Sequence, residues 1–96
     1  MKKFIFLAVG YTKPSKKVMD AWTRWFEDIK EHIVDSGNPF ASVMEVTASR
    51  VEEQPRDKDA ITGYIIIKAK DMAEATELAE GCPVTTSLRI YEAGTM

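Results

Sequence analysis

The sequence has 96 residues, of which 45 % are hydrophobic and 29 % are charged. A chain of this length forms a single domain over residues 1–96, because its small core cannot be divided between two units. The formal charge is -2, so the protein has no net positive charge that would attract nucleic acid or anionic membranes. The single cysteine excludes an internal disulfide and every zinc motif with paired cysteines, and it favours a reducing cytoplasm.

The first segment, MKKFIFLAVG, has two lysines before an apolar run and so imitates a signal peptide. The run is short and rich in β-forming residues, and YTKP follows it instead of a small-residue cleavage site. It therefore predicts a strand over Lys2–Val9. No stretch of the sequence approaches the ~20 apolar residues of a membrane-spanning helix.

A helix is predicted next, beginning at a Pro14-Ser15 cap signal and ending before Gly37, which supplies a left-handed cap. Apolar residues recur at intervals of three and four along this segment and form one stripe: Val18, Trp22, Trp25, Phe26, Ile29 and Ile33. Bulky residues at this spacing are more typical of core packing than of a cofactor site, and they leave room for an apolar pocket wall.

The remaining elements are two strands, a helix and a last strand. Apolar and polar residues alternate over Ala41–Val51 and predict a strand, and the polar stretch Glu52–Asp59 predicts an exposed connection. The segment ITGYIIIKAK is the strongest strand, and Asp71 caps a second helix that ends at Gly81. SLRIYEA is the last strand.

The order β-α-β-β-α-β predicts an α+β, ferredoxin-like fold, in which a four-stranded antiparallel sheet carries two helices on one face. The strands are apolar on both faces, because Phe4 and Phe6 point one way while Ile5 and Leu7 point the other. At about 25 cal/mol per Å², leaving the second face in water forgoes several kcal/mol. Exposed patches of that size usually mark interfaces, so we expect a homodimer through the open sheet face.

The segment DAITGYIIIKAKDMAEATELAEGCPV, residues 59–84, followed by LRIYE, residues 88–92, resembles the YCII-related family, which is sometimes grouped with the DGPF-domain proteins. The earlier W-x-x-W helix is similar too, so the resemblance covers most of the chain. It implies a face-to-face dimeric α+β barrel. It also implies that some relatives are hydrolase-like or lyase-like enzymes that act on small aromatic or lactone-like molecules. In those relatives a histidine-aspartate pair has been proposed to do the acid-base work.

The sequence departs from this family pattern at both members of the pair. In the dyad-bearing relatives the histidine lies inside the first helix, and the aspartate precedes the proline after the second helix. Here the first position falls near Phe26 and the second is Cys82, and PRDKDAITG occupies the place where the DGPF signature is expected. The resemblance thus implies the fold and the position of a pocket, but not the catalysis.

Three residues remain as candidates for catalysis. Cys82 follows a helix C-terminus, whose dipole raises a thiol pKa, so a small core residue is favoured over a nucleophile or a pocket-lining group. His32 is the only histidine, which favours a helix-surface role and leaves general-base chemistry as the alternative. Tyr11, like Tyr64, can place a phenol near a cleft.

The favoured hypothesis is a small-molecule-binding module without the dyad, using no cofactor and no metal. Its pocket is expected at Tyr11, Trp22, Phe26 and Cys82, with a small aromatic or acidic ligand. The alternative is a lyase, an isomerase or a cofactor-free oxygenase acting on a small aromatic or lactone-like compound through Tyr11, His32 or Cys82. A third hypothesis is a structural or regulatory protein that uses only its dimer surface.

Overall fold

The computed structural model describes residues 1–95. In chain order its elements are β1 (Lys2–Val9), α1 (Lys16–Ile29), a 3-10 turn (Lys30–His32), β2 (Ile33–Asp35), β3 (Met44–Val46), β4 (Val51–Glu53), β5 (Ile61–Ala69), α2 (Met72–Ala79) and β6 (Ser87–Glu92). Four strands form an antiparallel sheet in the order β2-β5-β1-β6, and β3 pairs with β4 in a separate hairpin. The main sheet and the two helices have the ferredoxin-like arrangement that the sequence predicts.

The core lies on one face of the sheet, beneath both helices. Alternate residues of the two central strands reach it, because successive side chains of a strand point to opposite faces. The buried cluster consists of Phe4, Phe6, Ile65, Ile67 and Ala69 from the sheet, Trp25 and Ile29 from α1, and Ala75 from α2. None of the helices in residues 1–95 has the length and apolar character that crossing a lipid bilayer requires.

Both helices begin at the predicted caps. The Ser15 hydroxyl accepts a hydrogen bond from the Val18 N–H at 3.2 Å and starts α1. The Asp71 carboxylate accepts from the Glu74 N–H at 2.9 Å, while the Glu74 carboxylate accepts from the Lys70 N–H at 3.0 Å. Side chains of this kind satisfy N–H groups that a helix start leaves without partners.

The first helix ends earlier than predicted. It stops at Ile29, and after the 3-10 turn the chain enters β2, where Ile33 pairs with Ile67 of β5. The helical prediction was wrong here. Ile33 packs against the core as a strand residue, and its spacing in the sequence happens to continue the apolar stripe of α1. Gly37 is left-handed at φ +72 but caps no helix: a Cβ there would lie 1.6 Å from the Tyr64 carbonyl oxygen.

The strand predicted over Ala41–Val51 was wrong in its length and its partner. Within that stretch Met44–Val46 is one strand and Val51 begins the next, β4; the two pair with each other instead of joining the main sheet. Glu52 and Glu53, predicted within an irregular connection, belong to β4 and are exposed. Alternation along one segment indicates a strand but carries no information about which strand it will pair with.

The hairpin of β3 and β4 has one largely apolar side, on which Glu53, opposite Met44, is the charged residue. Val46 pairs with Val51, and Met44 lies on the same side of the hairpin. These three side chains are 70 %, 64 % and 58 % exposed, respectively. A lone two-stranded hairpin is marginally stable in water, so its apolar side matters for the assembly considered below.

The second face of the main sheet, which we call the open face, is apolar in its middle. Ile5 lies opposite Ile66, and Leu7 lies opposite Tyr64, all pointing away from the helices. These four side chains are half-buried, and Tyr91 of β6, opposite Ile5, is 49 % exposed. The pattern read from the sequence is therefore present; Phe40 stacks on Tyr64 at one end of this face, while the rest of it stays partly exposed in residues 1–95.

Candidate ligand-binding site

A cleft of about 1040 Å³ opens between the first half of α1 and the end of the sheet where β1 finishes. Its walls come from the loop after β1, from α1, from the segment between β2 and β3, from β5 and from the loop before β6. Small-molecule sites occupy roughly 300–1,000 Å³, so the cleft has room for a ring-sized ligand. A second hollow of about 560 Å³ lies beside residues 16–24 of α1 alone and has no opposing wall.

Two pairs of aromatic residues contribute to the lining of the cleft. Trp22 and Phe26 are one helical turn apart on α1, so both face the cleft, and their ring centroids lie 5.9 Å apart. Phe40 stacks on Tyr64 with centroids 5.7 Å apart and planes tilted by 19°, and both residues line the cleft, although the Tyr64 ring lies on the open-face side of β5. Flat aromatic faces of this kind favour a planar apolar ligand.

The mouth of the cleft is polar. The guanidinium carbon of Arg56 lies 4.2 Å from the centroid of the Tyr11 ring, and its Nη1 donates to the Ala41 carbonyl at 3.3 Å. The Thr62 hydroxyl donates to the Gly10 carbonyl at 2.9 Å. A few fixed polar groups around an apolar interior are the usual composition of a site that orients a small molecule.

Three of the four residues expected in the pocket lie together. Tyr11, Trp22 and Phe26 all line the cleft, whereas Cys82 is not among its lining residues in the part of the chain that the structure describes. Its neighbour Pro83 does line the cleft. In the described part of the chain, the cleft therefore reaches Pro83, the residue after the cysteine that was expected to line it.

Cys82 has the environment of a core residue. Its N–H donates to the Ala79 carbonyl at 3.0 Å, just past the end of α2, and its side chain packs against the buried cluster. Burial raises the pKa of the Cys82 thiol from 9.0 to about 12, because a thiolate loses its hydration in an apolar surrounding. The thiol is therefore protonated at neutral pH and is a poor nucleophile.

His32 lies in the 3-10 turn and is also absent from the cleft lining within residues 1–95. Its Nδ1 is 2.9 Å from the Lys68 carbonyl oxygen, which fixes Nδ1 as the donor, and 4.0 Å from the Glu74 carboxylate. It thus ties the turn to the far end of β5. No group of three or more potential metal-ligating side chains is found among residues 1–95.

Sequence reasoning missed Phe40 and Arg56 as site residues. Phe40 precedes the hairpin in a segment held to β5 by the Phe40 N–H to Thr62 carbonyl bond of 2.7 Å. Arg56 lies in the polar connection after β4. Neither residue belongs to a periodic pattern, so only the folded arrangement brings them to the cleft.

The fold and the site together define a ferredoxin-like α+β protein with an aromatic-walled cleft. A family model described as the YCII-related domain matches residues 6–94, so the chain belongs to the YCII-related family. No curated protein matches the sequence. Among solved structures, the chain is similar to the 5-chloro-2-hydroxyhydroquinone dehydrochlorinase TftG from Burkholderia phenoliruptrix, in complex with 2,5-dihydroxybenzoquinone. The match covers 96 % of this chain and 93 % of that chain, with 16 % sequence identity and a TM-score of 0.56.

Proposed function

We propose that this protein is a homodimeric small-molecule-binding protein that takes a small aromatic ligand without converting it. The observation that carries the proposal is the cleft, whose lining includes the aromatic pairs Trp22-Phe26 and Phe40-Tyr64. A planar ring packs favourably against aromatic surfaces of this kind. The solved structure to which the fold is similar holds 2,5-dihydroxybenzoquinone, and this supports a ligand of single-ring size.

The two positions that would carry a histidine-aspartate pair support binding without turnover. Phe26 supplies a hydrocarbon surface to the cleft in place of an imidazole. Cys82 holds a protonated thiol against the core in place of a carboxylate. Acid-base catalysis needs a group that gains and loses a proton near the operating pH within reach of the substrate, and neither residue meets this requirement.

The dimer is supported by two uncovered apolar surfaces, the open face and the apolar side of the hairpin. The open face alone presents the middle of three strands, including Ile5 and Ile66. Contiguous apolar patches are uncommon on monomers and mark interfaces, and symmetric dimers are the commonest assembly. The single free cysteine supports a reducing cytoplasm as the location.

One observation favours the alternative, a lyase, isomerase or cofactor-free oxygenase. Tyr11 places a phenol in the cleft beside the Arg56 guanidinium, and a phenol can transfer a proton to a bound substrate. The similar solved structure is that of an enzyme on a hydroquinone. This alternative predicts consumption of an aromatic or lactone-like compound, and that consumption depends on the Tyr11 hydroxyl.

Calorimetric titration of the protein with phenol-sized aromatic compounds tests the proposal. We expect saturable binding that Phe40→Ala weakens roughly three- to tenfold, because the variant loses half of the stacked pair. Met72→Ala removes an exposed apolar side chain outside the cleft and serves as the control. Absence of binding to the wild type, or equal binding to Phe40→Ala, would contradict the site. Loss of the compound from solution by NMR would establish the enzyme instead.

A further inference from the structure

We infer that the ligand of the cleft is an aromatic acid whose carboxylate binds Arg56; this deepens the binding function proposed above and rests on it. Arg56 is the only charged side chain that lines the cleft in the described part of the chain. The remaining lining residues are apolar, aromatic, hydroxyl-bearing or amide-bearing. The site therefore presents one positive charge and no negative one to whatever occupies it.

No carboxylate within residues 1–95 forms an ion pair with this guanidinium. None of the ion pairs found within residues 1–95 involves Arg56. The adjacent Asp57 directs its carboxylate to the Asp59 N–H, at 3.0 Å. An arginine without an internal acid, placed at the mouth of an apolar cleft, selects an anion from solution.

The guanidinium is held in place before any ligand arrives. It lies over the Tyr11 ring, and one of its N–H groups donates to the Ala41 carbonyl. A guanidinium has five N–H donors in a planar fork, so most of them remain for a ligand. That fork matches the two oxygens of a carboxylate, which can accept two parallel hydrogen bonds.

The position of Arg56 sets the orientation of the ligand. Its carbonyl partner, Ala41, directly follows Phe40, so the cation lies at the same end of the cleft as the Phe40-Tyr64 pair. A carboxylate on Arg56 therefore leaves the attached ring to pack on aromatic side chains that line the cleft, of which Tyr11 is in contact with Arg56 itself. One molecule with an acid at one end and a ring at the other satisfies both parts of the site.

Calorimetry with 4-hydroxybenzoate and 4-hydroxybenzamide tests the inference, because the two probes share ring and hydroxyl and differ in charge. Near pH 7 and at low salt, we expect the wild type to bind the anion about tenfold more tightly than the amide. Arg56→Gln should reduce that preference to about twofold or less, and Arg56→Lys should leave an intermediate value. Arg50→Gln is the matched control, since Arg50 is an exposed arginine outside the cleft, paired with Glu52 at 3.2 Å.

Each result decides a different claim. If the wild type binds the amide as tightly as the anion, the acid specificity is wrong while the binding function stands. If neither probe binds, both are wrong. If Arg56→Gln keeps the tenfold preference, another group recognises the acid. Should Arg56→Gln fail to fold, Arg56→Lys decides, because an unchanged preference there contradicts recognition by the guanidinium fork.

Discussion

Cys82 illustrates how its surroundings decide what a side chain can do. The same thiol on a helix N-terminus would be reactive, but here it follows the end of α2 and packs against the core. Because the folded state raises its pKa to about 12, folding favours the protonated form. This contribution to stability is fully present below the unfolded-state pKa, near 9, and is lost as the pH rises toward 12.

Alkylation should be strongly suppressed in the native protein. At about pH 8, the raised pKa lowers the thiolate fraction by roughly a thousandfold relative to an ordinary thiol. We expect iodoacetamide to modify Cys82 roughly a thousandfold more slowly in the native protein than in the unfolded protein, as followed by intact mass. The same reaction in concentrated guanidinium chloride is the control, and a native rate within about tenfold of the unfolded rate would contradict the burial.

Single residues could be predicted where the residue type itself limits the backbone conformation or the surroundings of the side chain. Gly37 has the left-handed conformation that the sequence predicts, at φ +72, although it lies against β5 and not at a helix end. Trp22 and Phe26 follow from the aromatic stripe of the first helix and Tyr11 from its place just beyond the first strand, and all three line the cleft. Arg56 could not be found this way, because what distinguishes it is being the one charged residue among those that line the cleft within residues 1–95, which only the fold determines.

At the level of elements, the contact between the two helices depends on one indole. The Trp25 Nε1–H donates to the Leu78 carbonyl in the last turn of α2, at 2.9 Å. The next glycine, Gly81, lies against the same ring, since a Cβ there would be 3.5 Å from the indole Cδ1. The indole thus satisfies a carbonyl that the helix end leaves without an intrahelical partner.

Replacing this indole should cost more than replacing its neighbour on the same helix. Trp25→Phe leaves the Leu78 carbonyl without its donor and opens a small cavity in the core, so we expect a loss of about 2 kcal/mol in the free energy of unfolding. Trp22→Phe is the control, because no hydrogen bond from the Trp22 indole is found within residues 1–95. Urea denaturation followed by circular dichroism measures both variants, and equal losses would contradict a specific role for the bond.

Elements were predictable in proportion to their length and periodicity. The strands β1, β5 and β6 and the start of α2 lie where the sequence places them, since each combines a long apolar pattern with a clear stop or cap. The strand β2 has three residues and continues the apolar stripe of α1, so no local signal separates it from the helix. The hairpin shows a correct strand signal whose pairing is decided by the rest of the molecule.

For the whole molecule, the open face allows a direct test of the proposed dimer. Ile5 lies at its centre, between Ile66 and Tyr91 on the neighbouring strands. Ile5→Glu places a charge in the proposed interface, where burying it without a partner is strongly unfavourable. We expect sedimentation at micromolar concentration to show a dimer for the wild type and a folded monomer for this variant.

Met72→Glu provides the matched control for that experiment. Met72 is exposed at the start of α2, on the opposite side of the molecule from the open face, and a glutamate there is compatible with the helix dipole. This variant should remain a dimer. A monomeric wild type at all concentrations, or an Ile5→Glu protein that associates as tightly as the wild type, would contradict assembly through the open face.

The strand order β2-β5-β1-β6 also governs how the chain folds as it is made. The two central strands, β1 and β5, come from opposite parts of the sequence, and Phe4 meets Ile67 only after the intervening chain exists. On a ribosome, β1 and α1 emerge with their apolar faces exposed and wait for β5, because non-local strand pairing requires closure of a long loop. The apolar faces of β1 and α1 thus stay uncovered until β5 is available, and before then the nascent protein is most exposed to aggregation.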